Sequence, residues 1–325
     1  MERLEQAEWL EARRRSIGGS ELASIMGHSR WGSPLKVYYD KLGLVPDEPS
    51  TLRLEFGLWA EEFIAFRTIK RLKELDGDSK YEVYRTPKGM MNTLRSHSAH
   101  PDKLVFEVYD KQLLVRHMDF LECHATIDGV LENITTGAAW IFEAKTSGTW
   151  MQKEWHEGTP QYYKSQCFHN AAVCGMNGAM LAVMMGAGEG FEMEFIPAPE
   201  RPLDNLEFAA AWFQRHIIDQ EAPDALPQDS DVLKKVFPDG GGPRLDAPNQ
   251  LDAEANAKLT AADENYEGAH EAEKDAKQHK EGIKNIIKQA MGESDEILLM
   301  NGTIWTNKKT TRGYRSLKRK PLKKS

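Results

Sequence analysis

The sequence predicts an α+β fold: a central mixed sheet flanked by helices, followed by a C-terminal helical extension and a hairpin. Three observations carry this. Helix-period apolar spacing dominates residues 5–72 and returns at 160–174. Short alternating runs fill 81–146 and resume at 179–196. An alanine-rich polar stretch, 251–291, then precedes EILLMNGTIWT, in which Asn301-Gly302 separates two apolar runs as a hairpin turn.

Residues 5–15 and 20–27 are short helices on either side of Ile17-Gly18-Gly19-Ser20, where the glycines relax the backbone and Ser20 serves as N-cap. PLKVYYDKL, 34–42, is a third helix. FGLWAEEFIAFRTIKRL, 56–72, is longer and amphipathic, with Trp59, Phe63, Phe66 and Ile69 near one face. Strands are expected at 81–86, 104–108, 113–116, 119–130 and 139–146. Residues 160–174 are helical, 179–185 and 191–196 are closing strands, and 206–220 reads as a packed helix carrying Phe208, Trp212 and Phe213. These elements define a core over 1–225. Proline and glycine mark 226–250 as a linker, 251–307 holds the helical extension and hairpin, and 308–325 is a basic tail. In the extension Leu251, Leu259, Ala262, Tyr266, Ala269, Ala276, Ile283 and Ile287 form a thin apolar stripe, suited to lying on the parent domain or to a coiled-coil partner.

Length allows a core of about 200 residues plus an appendage. No apolar run approaches the roughly 20 residues of a membrane span, and MERLEQAEWL is too charged for a secretory signal, so the expectation is a cytoplasmic protein without membrane association. Cys123, Cys167 and Cys174 lack CxxC spacing and support neither a disulfide framework nor a structural zinc. His97, His100, His117 and His124 cluster in sequence but lack the helical pair joined to a glutamate of a zinc protease. No glycine loop ends in GK[ST], so coupling to ATP is not encoded. The net charge of −8 is unevenly spread: nine cations follow Glu296 with no acidic residue, leaving −17 on the rest. A basic end on an acidic body suits a phosphate backbone or a solubilising terminus.

The most informative residues lie in ATIDGVLENITTGAAWIFEAKTSG. Asp128 ends one alternating run, and Glu143 and Lys145 lie in the next. Side chains at i and i+2 of a strand share a face, so Glu143 and Lys145 project together while Ala144 turns away and offers only its backbone carbonyl. If 121–131 and 139–146 pair as a hairpin, Asp128 joins them. Trp140, Ile141 and Phe142 make the approach apolar, so the tripeptide emerges from a buried strand. Two carboxylates suit a hard divalent cation that keeps waters and takes phosphate oxygens, with the lysine placed to hold or activate an attacking water. This is a constellation for metal-assisted phosphodiester hydrolysis.

The succession Trp9-x3-Arg13-x3-Ile17-Gly18-Gly19-Ser20, Gly57-x3-Glu61, Asp128-Gly129, Glu143-Ala144-Lys145 and Tyr163-x2-Gln166 resembles the YqaJ-type viral recombinase, or lambda exonuclease-like, branch of the PD-(D/E)xK nuclease superfamily. The likeness covers roughly residues 9–220, and it implies an α/β/α restriction-endonuclease-like core. It also implies that Asp128, Glu143, the Ala144 carbonyl and Glu61 bind Mg²⁺ or Mn²⁺, that Lys145 positions the nucleophilic water, and that Gln166 lies on the helix following the core strands. Asn170 stands where related branches carry a tyrosine after that glutamine. Arg13 and Ser20 match residues that hold a DNA 5′-phosphate; a guanidinium fork and a hydroxyl beside flexible glycines suit an anion independently, with Arg14 and Arg15 as neighbours able to do the same work. Thr126, two residues before Asp128, adds a hydroxyl near the phosphate.

The activity so implied is a metal-dependent DNA exonuclease, 5′→3′ on double-stranded DNA ends, in phage-type recombination, delivering a 3′ strand to a single-strand annealing protein. A homo-oligomer, trimeric by resemblance, belongs to the same expectation. The alternatives are an endonuclease on the same core and a DNA-binding or recombination partner module without activity.

Overall fold

The computed structural model describes residues 2–46, 51–186, 188–238, 245–309 and 315–320. These fall into two compact units, Met1–Gly240 and Gly241–Ser325. The first begins with helices α1 (Glu2–Arg14), α2 (Gly19–Ile25), α3 (Pro34–Lys41) and α4 (Leu52–Leu75). Strand β1 (Tyr81–Tyr84), helix α5 (Pro87–His97) and strands β2 (Leu104–Tyr109), β3 (Gln112–His117), β4 (Phe120–Thr126), β5 (Gly129–Asn133) and β6 (Ala138–Ser147) follow. Then come α6 (Gln152–His156), α7 (Gln161–Cys174), β7 (Gly178–Met185), β8 (Gly190–Pro197), α8 (Asp204–Phe213) and α9 (Ser230–Val236).

The strands make two sheets, one ordered β1-β5-β6-β7-β8 and one β2-β3-β4. In the larger sheet β6 and β7 are parallel while the other pairs are antiparallel, so the sheet is mixed as expected. A parallel pair needs a crossover, and α7 supplies it. Every residue of β7 is buried, because both faces of this strand are covered. Leu181, Val183 and Met185 face the main core with α2, α5, α7 and α8, and Met180, Ala182 and Met184 face α4. The result is a helix, sheet, helix sandwich.

Several expectations change. The single strand at 119–130 is two strands in different sheets: β4 pairs with β3, β5 pairs with β1 and β6, and the chain crosses between the sheets at Ile127 and Asp128. Apolar and polar residues alternate from Cys123 to Asp128, so the pattern gives no sign of the crossing.

On α4 the packed stripe is Ala60, Ile64, Thr68 and Leu72; Trp59, Phe63 and Phe66 are exposed, at 71%, 46% and 61%. The small face wins because Phe142, Leu131 and Met180 of the sheet already fill the space beneath it. Ser20 does not cap α2. Gly18 is the N-cap, and its N–H donates to the Glu21 carboxylate at 2.7 Å.

The first unit runs past the expected boundary at 225. Asp229 is buried and accepts a hydrogen bond from the Ser33 hydroxyl, and Val232 of α9 is 6% exposed. The second unit holds α10 (Ala247–Gln250), the 39-residue α11 (Ala253–Met291) and strands β9 (Glu296–Leu298), β10 (Ile304–Lys309) and β11 (Arg315–Lys320), ordered β11-β10-β9. Asp252 caps α11 through the Ala255 N–H, and Leu259, Tyr266 and Ile283 of its stripe are exposed. Part of the expected basic tail is therefore strand: β11 pairs with β10 along its length, and Arg315 meets Asp295 at 3.4 Å. Arg312, Lys323 and Lys324 lie outside the described residues.

Buried histidines brace the joint between the layers. His169 Nε2 lies 3.1 Å from the Ile17 carbonyl and 3.0 Å from the His124 carbonyl, so this nitrogen carries the proton and donates to both. Burial pushes the His169 pKa down to about 4 and that of His124 well below its ordinary value. The unfolded chain therefore binds these protons first, and the histidines' share of stability is full above about pH 6.5 and falls as pH drops towards 4. Raised carboxyl groups act in the opposite sense, so the share is read by difference. His169→Gln keeps a side-chain donor without titrating, and urea unfolding at pH 7.5 and 5 should show a smaller acid loss than wild type, by about 2 kcal/mol. Equal losses would show that His169 titrates normally.

Candidate active site

The site grows from where β6 outlasts its partner. Pairing with β5 ends at Phe142 opposite Gly129, whereas pairing with β7 continues to Ser147. Residues 143–147 therefore leave one backbone edge open beside Asp128. Asp128 turns into this notch, and its Oδ2 accepts the Ala144 N–H at 2.8 Å. A strand residue's N–H and C=O leave on the same side, so the Ala144 carbonyl faces the same notch.

Glu143 and Lys145 project on the α7 side, and the Ala144 side chain packs against the α4 layer. Lys145 Nζ donates to Glu143 Oε1 at 2.5 Å, Gln166 Nε2 donates to the same oxygen at 2.5 Å, and Asn170 Nδ2 donates to Oε2 at 3.1 Å. Gln166 and Asn170 stand one turn apart on α7 and so face one carboxylate together. Asn170 was noted in the sequence only as a departure from a tyrosine; here it hydrogen-bonds the Glu143 carboxylate. Tyr163, one turn earlier, stacks on Trp155 at 5.3 Å.

Charge is concentrated here. Burial and then the charge of Asp128 hold Glu143, which is 2% exposed, well above the ordinary carboxyl range, although Lys145 pulls the other way. Burial opposes the charge on Lys145, but Glu143 and Asp128 more than offset it, and its pKa is raised. Glu61 comes from the opposite layer. Burial and then the charge of Asp128 lift it to about 7, and its Oε2 is engaged by Arg85 Nη2 at 2.5 Å. Among the described residues no three His, Cys, Asp or Glu side chains gather as a metal cage. The oxygens that could hold a cation are those of Asp128 and Glu143 and the Ala144 carbonyl, with Glu61 held beside them by Arg85. One or two carboxylates with a carbonyl and retained waters is the donor chemistry that Mg²⁺ or Mn²⁺ takes.

The expected phosphate residues are placed as follows. Arg13 lies in the last turn of α1 with its Nε buried and without a hydrogen-bond partner, its guanidinium 5.9 Å from the Trp9 ring, and its carbonyl accepting Lys41 Nζ at 2.7 Å. Lys41 also pairs with Glu21 at 2.7 Å, which ties the end of α1 to the start of α2. Arg15 instead faces outward beside Glu11. Ser20 is exposed on the first turn of α2. That turn lies against the catalytic helix: a Cβ on Gly19 would come within 2.7 Å of Asn170 Oδ1 and 2.9 Å of the Gln166 carbonyl, so only glycine fits. Thr126 ends β4 and does not share a strand with Asp128; its carbonyl lies 3.5 Å from Asn170 Nδ2. Arg85 carried no signal in the sequence.

A mixed sheet between helices, with two carboxylates and an ammonium at the open edge of its central strand, defines a site of the acid–acid–lysine type. The chain belongs to the family of YqaJ-like viral recombinase domains, which it matches over residues 8–177. It is 27% identical over 237 residues to the uncharacterised protein YqaJ of Bacillus subtilis (strain 168), a match that spans 71% of this chain and 63% of that protein's length. Among solved structures it is similar to the alkaline exonuclease LHK-Exo of Laribacter hongkongensis: 16% identity, TM-score 0.43, covering 66% of this chain and 93% of that one. For the complex of LHK-Exo with dAMP the figures are 17%, 0.45, 66% and 93%. Among the described residues no helix is long and apolar enough to cross a membrane.

Proposed function

We propose that this protein is a divalent-metal-dependent DNA exonuclease of the PD-(D/E)xK type, acting 5′→3′ on double-stranded ends in recombination and feeding the exposed 3′ strand to an annealing partner. The observation that carries the reading is the notch itself: Asp128 pinned to the Ala144 N–H, beside Glu143 and Lys145 hydrogen-bonded to each other. Membership of a viral recombinase family supplies the setting. Asp128, Glu143 and the Ala144 carbonyl would hold Mg²⁺ or Mn²⁺, which supplies charge neutralisation at a phosphate and acidity to a bound water. Lys145 orients that water and faces developing negative charge as a donor. Gln166 and Asn170 fix the Glu143 carboxylate. Arg13 and the Gly18-Gly19-Ser20 turn, packed on the same helix, receive the terminal phosphate.

The deciding assay uses linear duplex with 5′-phosphate or 5′-hydroxyl ends and closed circular DNA, each with Mg²⁺ or with EDTA. Metal-dependent loss of linear DNA alone, faster from 5′-phosphate, is the expected result. Arg13→Ala removes a charge-assisted contact of about 1.5–3 kcal/mol and should narrow the preference for 5′-phosphate by about tenfold or more. Equal slowing on both ends would assign Arg13 to general backbone binding. Nicking of the closed circle would make the protein an endonuclease.

A further inference from the structure

Arg85 follows β1 directly, and because β1 and β5 are antiparallel, with Tyr84 opposite Val130, it lies beside Asp128 and Gly129. Its Nε donates to the Asp128 carbonyl at 3.3 Å and its Nη2 to Glu61 Oε2 at 2.5 Å. The Arg85 and Glu61 side chains are 28% and 18% exposed, so the pair is only partly screened by water. Gly129 makes room for it. A Cβ there would lie 3.0 Å from the Tyr84 carbonyl and the Val83 side chain, and 3.4 Å from Arg85 Cγ. One guanidinium thus spans the α4 carboxylate and the backbone at Asp128, and the three carboxylates of the site do not converge.

We propose that Arg85 is a positioning residue that acts as the built-in counter-ion of Glu61, holding it off the cation until an incoming phosphate draws the guanidinium away. The inference rests on the metal site of the proposed function. A guanidinium binds carboxylate and phosphate through the same planar donor fork, so a DNA phosphate entering the notch competes with Glu61 for Arg85. Glu61 is then released towards the Asp128 side of the site. Full ligation is thereby tied to the presence of substrate, and the free protein holds its metal weakly.

The experiment is calorimetric titration of the full chain with Mn²⁺ in the absence of DNA, using wild type, Arg85→Gln, Arg85→Lys, Glu61→Gln and the double variant Arg85→Gln/Glu61→Gln, each checked by thermal melting. Arg85→Gln should bind Mn²⁺ about tenfold more tightly than wild type, a coupling within the range of contacting pairs. Arg85→Lys, which keeps the charge but loses the fork, should gain less and stands in if the glutamine variant does not fold. Glu61→Gln alone should change little, and the double variant should lose the gain. Unchanged or weaker binding by folded Arg85→Gln, with wild type binding normally, overturns the inference while leaving the metal site intact. No Mn²⁺ bound by wild type or any variant overturns both.

Discussion

Asp128→Asn and Glu143→Gln should each abolish DNA cleavage, by at least about 10³-fold or roughly 4 kcal/mol of transition-state stabilisation. Asp128→Asn is the cleaner test. Its amide oxygen can still accept the Ala144 N–H, so the turn between the sheets keeps its anchor while the anionic charge is lost. Glu143 accepts from Lys145, Gln166 and Asn170, and an amide there sets one N–H against these donors, so some loss of melting temperature accompanies the lost activity. The two variants separate charge from architecture. Cleavage within tenfold of wild type by folded Asp128→Asn or Glu143→Gln would remove the notch from the mechanism.

Lys145→Met should lower single-turnover cleavage by on the order of 10²-fold or more while leaving Mn²⁺ affinity near that of wild type. Methionine fills the space of the stem and deletes the ammonium. Because Glu143 and Asp128 hold Lys145 protonated against burial, its loss removes a positive donor at the place where negative charge develops. It also removes one of three donors to Glu143, and Gln166 and Asn170 remain to keep that carboxylate in place. Turnover measured beside calorimetry decides the outcome. Undiminished turnover would make the lysine a structural counter-ion, and a fall in turnover matched by a fall in metal affinity would place its effect on the ligands.

The spacing of Asp128, Glu143 and Lys145 was legible because strand geometry alone puts residues two apart on one face, and β6 obeys it. Gln166 was reached through resemblance. What escaped reading depended on tertiary context. The crossing at Ile127 and Asp128 is invisible in the sequence, since alternation from Cys123 to Asp128 runs straight through it while the strands on either side pair in different sheets. The exposed aromatic face of α4 misled because helical periodicity locates a stripe but does not say whether large or small residues meet the sheet. Arg85 lies between a short strand and a helix, and its two partners are 24 and 43 residues away. Helix α5 was passed over, although Thr86-Pro87 carries a helix-start signal, a cap followed by proline in the first turn, and Thr86 Oγ1 accepts the Gly89 N–H.

The parallel pairing of β6 with β7 also sets when the site comes into being. Glu143 finds its hydrogen-bond partners 23 and 27 residues later in the chain, and its strand finds its parallel neighbour only after α7 has been made and has crossed over the sheet. Such long-range closure is slow relative to local helix formation. On a ribosome, a chain that has reached Lys145 carries both acids and the lysine but has nothing to hold them together. The site geometry therefore cannot form before the chain has passed β7, and chains that stop short of that strand hold the two acids and the lysine without the arrangement that would make them act on DNA.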